Sequence, residues 1–191
     1  MLAGQFGRML RRRSHQQAGS DGLAEAAPAA AVDTVNVAVS GYAAAPRSET
    51  VLFNLLAGFL GSFAIVRLST WGIRRRKRWG PFRNVRLGGR HIHHFVPGIL
   101  IAFASGTTAL LTRNEALEER LAITTGIGMG LTFDEAALLL DLRDVYWSRK
   151  GLLSVQLSLG ATAILSIAIL TQRMLRRGER RQEAEGQIPA A

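Results

Sequence analysis

Three histidines lie within four residues in the middle of the chain, in the run Arg-His-Ile-His-His-Phe-Val-Pro-Gly of residues 90–98. Pro97 suits the first turn of a helix and disfavours helical geometry just before it, so we expect an extended or turning segment that leads into a helix. In an extended chain His91 and His93 would point one way and His94 the other. Such imidazoles can bind a metal, carry a proton or contact lipid phosphate at a membrane boundary.

Carboxylates form a second cluster, in which Asp134 and Glu135 interrupt an apolar stretch and Asp141 follows. On a helix Asp134 and Asp141 lie nearly on one face, and Glu135 lies about 100° round from Asp134. A charged carboxylate inside a membrane helix costs roughly 2.5–3.5 kcal/mol on insertion scales. Asp134 and Glu135 therefore need a basic side chain, a metal, a proton or a water-filled cavity beside them. The candidate basic partners are Arg67, Arg90 and Arg143.

The elements that must position these clusters are long apolar segments separated by blocks of charge, in a chain with 48% apolar residues and a net charge of +10. This segregation is typical of helical membrane proteins, in which a spanning helix needs about 20 predominantly apolar residues. The sequence predicts an all-α integral membrane bundle of four transmembrane helices, within a membrane domain of residues 50–173. The predicted helices are 51–73, 94–112, 117–140 and 151–172.

The third predicted helix leaves the topology open, because it reaches full length only by including Asp134 and Glu135. The arginine-rich loop between the first two helices favours the cytoplasm, and four crossings then place both termini outside. The arginines after residue 172 also favour the cytoplasm, which would instead make the third segment re-entrant. Aromatic residues such as Trp79 and Trp147 would form interfacial belts on one common side, and this favours four crossings.

Four crossings would bring the two clusters to the same side of the membrane. The histidines would start the second helix at the cytoplasmic boundary, and Asp134 would lie about 10 Å from the cytoplasmic end of the third helix. We therefore predict that the clusters converge on one cytoplasm-facing site. Imidazole together with carboxylate suits Zn, Fe or Mn. The predicted metal ligands are His91, His93, His94, Asp134 and Glu135, with Asp141 as an additional ligand.

The two ends of the chain differ from the membrane domain in composition. Residues 1–49 are rich in Ala, Gly and Ser, and they predict a disordered or loosely helical tail, with an amphipathic surface helix as the alternative. Their first residues do not resemble a cleaved secretory signal. Residues 174–191 are predicted to be a polar, basic tail. The absence of Cys excludes disulfides and thiolate metal sites.

The basic run Arg74–Arg78 is expected to bind anionic lipid. Too few aromatic residues interleave with it for a nucleic-acid interface, so no nucleic acid is expected as a partner. Small residues recur every fourth position in all four segments, which lets membrane helices approach closely. They predict a packed bundle, or a face that docks a second copy or another membrane protein. They include Ala57 and Gly61, then Gly98, Ala102 and Gly106, then Gly126 and Gly130.

Three runs of the sequence resemble a group of small integral membrane proteins from actinobacteria. These runs are His-Ile-His-His-Phe-Val-Pro-Gly at 91–98, Gly-Met-Gly-Leu-Thr-Phe-Asp-Glu at 128–135 and Asp-Val-Tyr-Trp at 144–147. The resemblance covers roughly residues 85 to 160. It implies a bacterial plasma membrane, and it supplies no activity to carry over.

The sequence leaves the activity open, because neither cluster matches a named catalytic signature such as His-Glu-x-x-His or Gly-x-Ser-x-Gly. One hypothesis is a metal site at the cytoplasmic side, which in an enzyme could activate water or oxidise a lipid. A second is proton-coupled transport, in which Asp134 or Glu135 titrates within the membrane. A third is a structural subunit that binds a partner through the small-residue faces.

Overall fold

The computed structural model describes residues 1–16, 22–76, 86–87, 90–91, 94–134 and 149–188. These residues form six helices and one pair of two-residue strands. The helices confirm the predicted all-helical class. The helices are α1 Leu2–Gln16, α2 Gly22–Ala43, α3 Arg47–Arg76, α4 Phe95–Leu111, α5 Glu115–Asp134 and α6 Arg149–Ala184. The antiparallel strands are β1 Arg86–Leu87 and β2 Arg90–His91, with Arg86 opposite His91.

The chain divides into two compact units. One consists of residues 1–50 with residues 168–191, and the other of residues 51–167. Helices α3 and α6 each contribute residues to both units. The predicted histidine and carboxylate clusters both fall within residues 51–167.

The turn between α4 and α5 follows directly from the local sequence. Thr112 has an extended conformation (φ −79°, ψ 146°), which ends α4. Asn114 then caps α5, because its Oδ1 accepts a hydrogen bond from the backbone N–H of Leu117 at 3.1 Å. Glu115 and Glu118 in the first turn of α5 interact favourably with the positive end of its dipole. The short turn makes α4 and α5 neighbours.

Helix α5 makes its closest contacts through glycines on two of its faces. A Cβ on Gly126 would overlap the backbone oxygen of Leu55 in α3. On the other face, a Cβ on Gly128 would lie 2.7 Å from the oxygen of Gly98 in α4. Small residues of the second and third predicted segments are therefore used for helix packing, as small-xxx-small patterns favour. In α3 the contact residue is Gly58, whereas a Cβ on Gly61 would meet nothing within 4 Å.

Polar contacts define the relative directions of these helices. Asn54 Nδ2 donates to the oxygen of Glu119 at 3.2 Å, and Ser62 Oγ donates to that of Ile127 at 3.2 Å. Later residues of α3 thus meet later residues of α5, so the two helices are parallel. Helix α4 is antiparallel to α5, because Gly98 at its start lies beside Thr132 near the end of α5. The end of α3, the start of α4 and the end of α5 consequently lie together.

The unit of residues 1–50 and 168–191 has a small apolar core of its own. Its buried side chains are Met9, Ala30, Val37, Leu175 and Ile188. The sequence predicts a disordered or loosely helical tail at one end, with a surface helix as the alternative, and a polar basic tail at the other. The structure has α1 and α2 at the first end and α6 as far as Ala184 at the second. The physical reason is the long-range contact: the buried residues of α1 and α2 meet residues of α6 that are distant in sequence.

Ion pairs accompany this core. Arg13 holds both carboxylate oxygens of the buried Asp33, at 2.8 and 3.0 Å. The hydrogen bond to Asp33 raises the pKa of the Arg13 guanidinium above its ordinary value. Arg12 contacts Glu179 at 2.8 Å and Glu183 at 2.6 Å. These pairs link α1 to α2 and to the end of α6.

One helix among the described residues is long and apolar enough to cross a membrane. It covers Arg47–Ser69, which is 23 residues with a mean hydropathy of 1.9. Helix α4 is also apolar but has only 17 residues. The structure therefore bears on one of the four predicted crossings, and the four-crossing bundle stays a prediction.

Candidate functional site

A buried carboxylate lies between two basic side chains at the end of α5. The Asp134 side chain is 6% exposed, and its Oδ1 lies 2.7 Å from Nε of Arg67 on α3. Its Oδ2 lies 3.3 Å from Nε2 of His94, the residue that precedes α4. Residues of α3, of α5 and of the turn before α4 thus meet at a single acidic group. We call Arg67, His94, Asp134 and Gln156 the polar centre.

Gln156 connects the fourth helix of this unit to the polar centre. Its Oε1 accepts a hydrogen bond from Nη2 of Arg67 at 2.6 Å. Its Nε2 donates to the backbone oxygens of Phe133 and Asp134, at 3.4 Å each. The amide of Gln156 therefore holds the guanidinium and the end of α5 in fixed relation, and α6 takes part in the same network.

Arg67 is further positioned by an aromatic ring one turn earlier in α3. Its guanidinium carbon lies 5.5 Å from the ring centroid of Phe63, a distance that allows a cation–π interaction. The Arg67 side chain is 46% exposed, so solvent screens its charge to some extent. Asp134 is the inner member of the ion pair and Arg67 is the outer one.

His94 reaches Asp134 from the N-terminal boundary of α4. Its backbone is helical (φ −69°, ψ −12°), and its side chain makes no capping hydrogen bond. Its carbonyl oxygen accepts from the N–H of Gly98 at 3.0 Å, which begins the helix. The sequence predicts an extended or turning segment here. The structure has both, because His91 lies in β2 and His94 lies in a turn.

Of the predicted ligands, the structure brings together His94 and Asp134. The backbone of His91 lies in β2, but its side chain is outside the described part of the structure. His93, Glu135 and Asp141 lie outside it entirely. Among the residues that are described, no three His, Cys, Asp or Glu side chains are grouped so as to hold a metal.

Sequence reasoning named Arg67 as one of three basic candidates and missed Gln156. The available signal was the amide itself, because Gln156 lies inside an otherwise apolar segment. An amide in that setting has to find hydrogen-bond partners on neighbouring helices.

The polar centre can change its charge through a proton. With His94 neutral, the charges of Arg67 and Asp134 cancel; with His94 protonated, the three groups carry one net positive charge. Nε2 of His94 and Oδ2 of Asp134 lie 3.3 Å apart, so a proton bound to this nitrogen would lie beside the carboxylate. A metal at Asp134 would instead have to compete with the guanidinium that already lies 2.7 Å from the carboxylate.

Comparisons of the chain with protein-family models, with curated proteins and with solved structures find no match.

Proposed function

We propose that the chain is a multi-pass helical membrane protein of a bacterial plasma membrane, and that it acts as a proton-coupled transport component through His94 and Asp134. The observation that carries this proposal is the 6% exposure of the Asp134 side chain, together with its contacts to a guanidinium and an imidazole from other helices. Ionisable residues inside a membrane bundle are rare, and they mark ion pathways and proton relays.

The apolar outer surface of residues 51–167 supports the membrane part of the proposal. On α4, Leu100, Phe103 and Leu110 are 66, 71 and 87% exposed. On α6, Ile164 and Leu165 are 57 and 64% exposed. A contiguous exposed apolar surface is costly in water, and lipid would cover it. Four crossings, with the polar centre near the cytoplasmic side, agree with the arginine-rich loop that precedes the histidines.

The arrangement of charges supports the proton part. Arg67 compensates the Asp134 carboxylate, so the cost of keeping an ionised acid among the helices is reduced. His94 adds an imidazole, a side chain whose ring nitrogens can take up or release a proton. The polar centre therefore combines a permanent cation with two groups that can gain or lose a proton. Its four residues lie on α3, α5 and α6 and in the turn before α4, so a change of protonation would act on contacts among all four elements.

Proton flux into liposomes tests the transport proposal. Purified protein is reconstituted in vesicles that contain a pH-sensitive dye. The outside solution is then acidified, and the dye reports protons that enter the vesicles. We expect flux with the wild type, a loss of flux with Asp134→Asn and His94→Gln, and wild-type flux with Glu115→Gln on the same helix. Flux that is the same in wild type and Asp134→Asn, or no flux above empty liposomes, would contradict the proposal.

The metal site is a second candidate, favoured by the 3.3 Å contact between two of its predicted ligands, His94 and Asp134. Zn, Fe or Mn would need further ligands, and His91, His93 and Glu135 are the residues proposed for them. Elemental analysis of freshly purified wild type and of His93→Ala separates this candidate from the first. A stoichiometric metal that is lost in His93→Ala supports a metal site, and metal-free wild type excludes it.

A further inference from the structure

A cavity of about 330 Å³ lies between α3, α5 and α6 in the unit of residues 51–167. This volume falls within the range of small-molecule pockets, which is about 300–1,000 Å³. Its lining includes Leu55, Phe59 and Met129 from α3 and α5, and Thr162, Ala163 and Ser166 from α6. None of the described residues that line it is charged.

The chemistry of the lining favours a hydrocarbon occupant. Leucine, phenylalanine and methionine side chains supply most of the wall, and the polar atoms are the hydroxyls of Thr162 and Ser166. A hydroxyl on a helix can bond to a carbonyl of its own helix, so these two groups can line an apolar space at little cost. A charged head group would find no counter-ion among these residues, so an aliphatic chain fits the lining better.

The position of the cavity along α3 indicates the source of such a chain. At 1.5 Å per residue, Leu55 and Phe59 lie about 12 and 18 Å from Arg47, and the apolar stretch Arg47–Ser69 is about 34 Å long. If this stretch crosses a bilayer whose hydrocarbon core is about 30 Å thick, the cavity lies at the depth of the acyl chains.

The walls of the cavity also leave a way in from the side. Phe59 and Ala163, 4% and 6% exposed, form its inner part. Thr162 and Leu159 are exposed at its edge, Leu159 by 37%. A chain attached to a head group at the membrane surface could enter between α3 and α6 without leaving the bilayer.

We propose that this cavity binds one acyl chain of a membrane lipid. The inference rests on the proposed membrane location and is independent of proton coupling at the polar centre. The bound chain differs from the lipid around the bundle because it occupies a concave site with buried walls, whereas the exposed leucines of α4 form a convex surface.

A photoreactive lipid tests the proposal. The protein is reconstituted in vesicles that contain phosphatidylglycerol with a diazirine in the middle of one acyl chain, irradiated, digested and mapped by mass spectrometry. We expect adducts concentrated on Leu55–Phe59 and on residues 159–166. Thr162→Phe should lower these adducts about tenfold, because its ring would displace about two methylene groups of the bound acyl chain from the cavity, and losing their burial weakens binding by about that factor. Thr108→Phe, at an exposed threonine of α4, is the matched control and should leave them unchanged.

Ser166→Leu fills the cavity from another position and replaces Thr162→Phe if that variant does not fold. Adducts spread evenly over Leu100 and Phe103 with no enrichment in the cavity would overturn the proposal, as would cavity adducts that neither filling variant lowers. Crosslinks from the cavity to a second copy of the chain would assign it to a protein partner instead. Alkaline carbonate extraction is run in parallel, because release of the protein from membranes contradicts the membrane location itself.

Discussion

The ion pair between Arg67 and Asp134 predicts an asymmetric response to mutation. Arg67→Met removes the guanidinium that lies 2.7 Å from a carboxylate of 6% exposure. Breaking a buried pair by removing one partner costs about 3–5 kcal/mol, and the 46% exposure of Arg67 reduces this to about 2 kcal/mol. Asp134→Asn leaves a guanidinium that already reaches solvent, so we expect it to lower the free energy of unfolding by about 1 kcal/mol.

The double variant should recover much of this loss, because neither charge is then left without its partner. We expect the losses of unfolding free energy in Arg67→Met and Asp134→Asn, added together, to exceed the loss in the double variant by about 1–2 kcal/mol. Thermal and chemical unfolding in a mild detergent, followed by circular dichroism, measures all four proteins. Arg120→Met, at an exposed arginine of α5, controls for the loss of any arginine and should change stability by less than about 0.5 kcal/mol. Losses that add within error would refute the coupling.

Three further predictions concern a helix contact, a helix cap and an ion pair. Gly126→Ala should lower the free energy of unfolding by about 1–3 kcal/mol, because its Cβ would overlap a backbone oxygen of α3. Gly61→Ala, in open space on α3, should leave stability unchanged or raise it by up to about 1 kcal/mol. Gly61→Ala should therefore melt at a higher temperature than Gly126→Ala, and the opposite order would contradict the packing. Asn114→Ala should lower the free energy of unfolding by about 1 kcal/mol and speed amide hydrogen exchange in the first turn of α5, because the helix loses its N-terminal cap. Unchanged exchange would exclude the cap. Arg13→Met should lower the free energy of unfolding by about 1.5–3 kcal/mol, because Asp33 loses the two hydrogen bonds from Arg13. Limited proteolysis should then cleave the N-terminal helices faster than in the wild type, and wild-type resistance to the protease would show that the pair is not needed.

Local pattern was sufficient for the helical class and for the contact between one member of each cluster, His94 and Asp134. Apolar segments with short connections predict neighbouring antiparallel helices, and a histidine at the start of one then lies beside an acid at the end of the next. The contact between His94 and Asp134 has this geometry. The start of α5 could also be predicted, because Asn114 followed by acidic residues is a typical helix beginning.

Contacts between distant parts of the chain were harder to predict. The sequence offered three arginines for Asp134, and the contact with Arg67 depends on the packing of α3 along α5. The small-residue pattern favoured Ala57 and Gly61 in α3, whereas the contact uses Gly58, one residue round the helix. In a helix a shift of one position turns the contact face by about 100°, so a pattern of small residues does not by itself fix the face.

The packing of the two ends of the chain against each other was not predicted, for the same reason. Met9 and Val37 lie in segments rich in small and polar residues. They become a core only because Leu175 of α6 lies against them. Composition measures how much apolar surface one segment can bury by itself, and here the surface is shared with a segment more than a hundred residues away.

Infrared difference spectroscopy tests the central claim most directly, because it detects protonation of individual carboxyl and imidazole groups. Spectra of the reconstituted protein are recorded before and after acidification, for wild type, Asp134→Asn, His94→Gln and the control Glu115→Gln. We expect a change in the carboxyl or imidazole bands that persists in the control and is lost or altered in both Asp134→Asn and His94→Gln, because the two groups lie 3.3 Å apart. Spectra of wild type and of these two variants that superimpose would show that His94 and Asp134 exchange no proton, and would contradict the account.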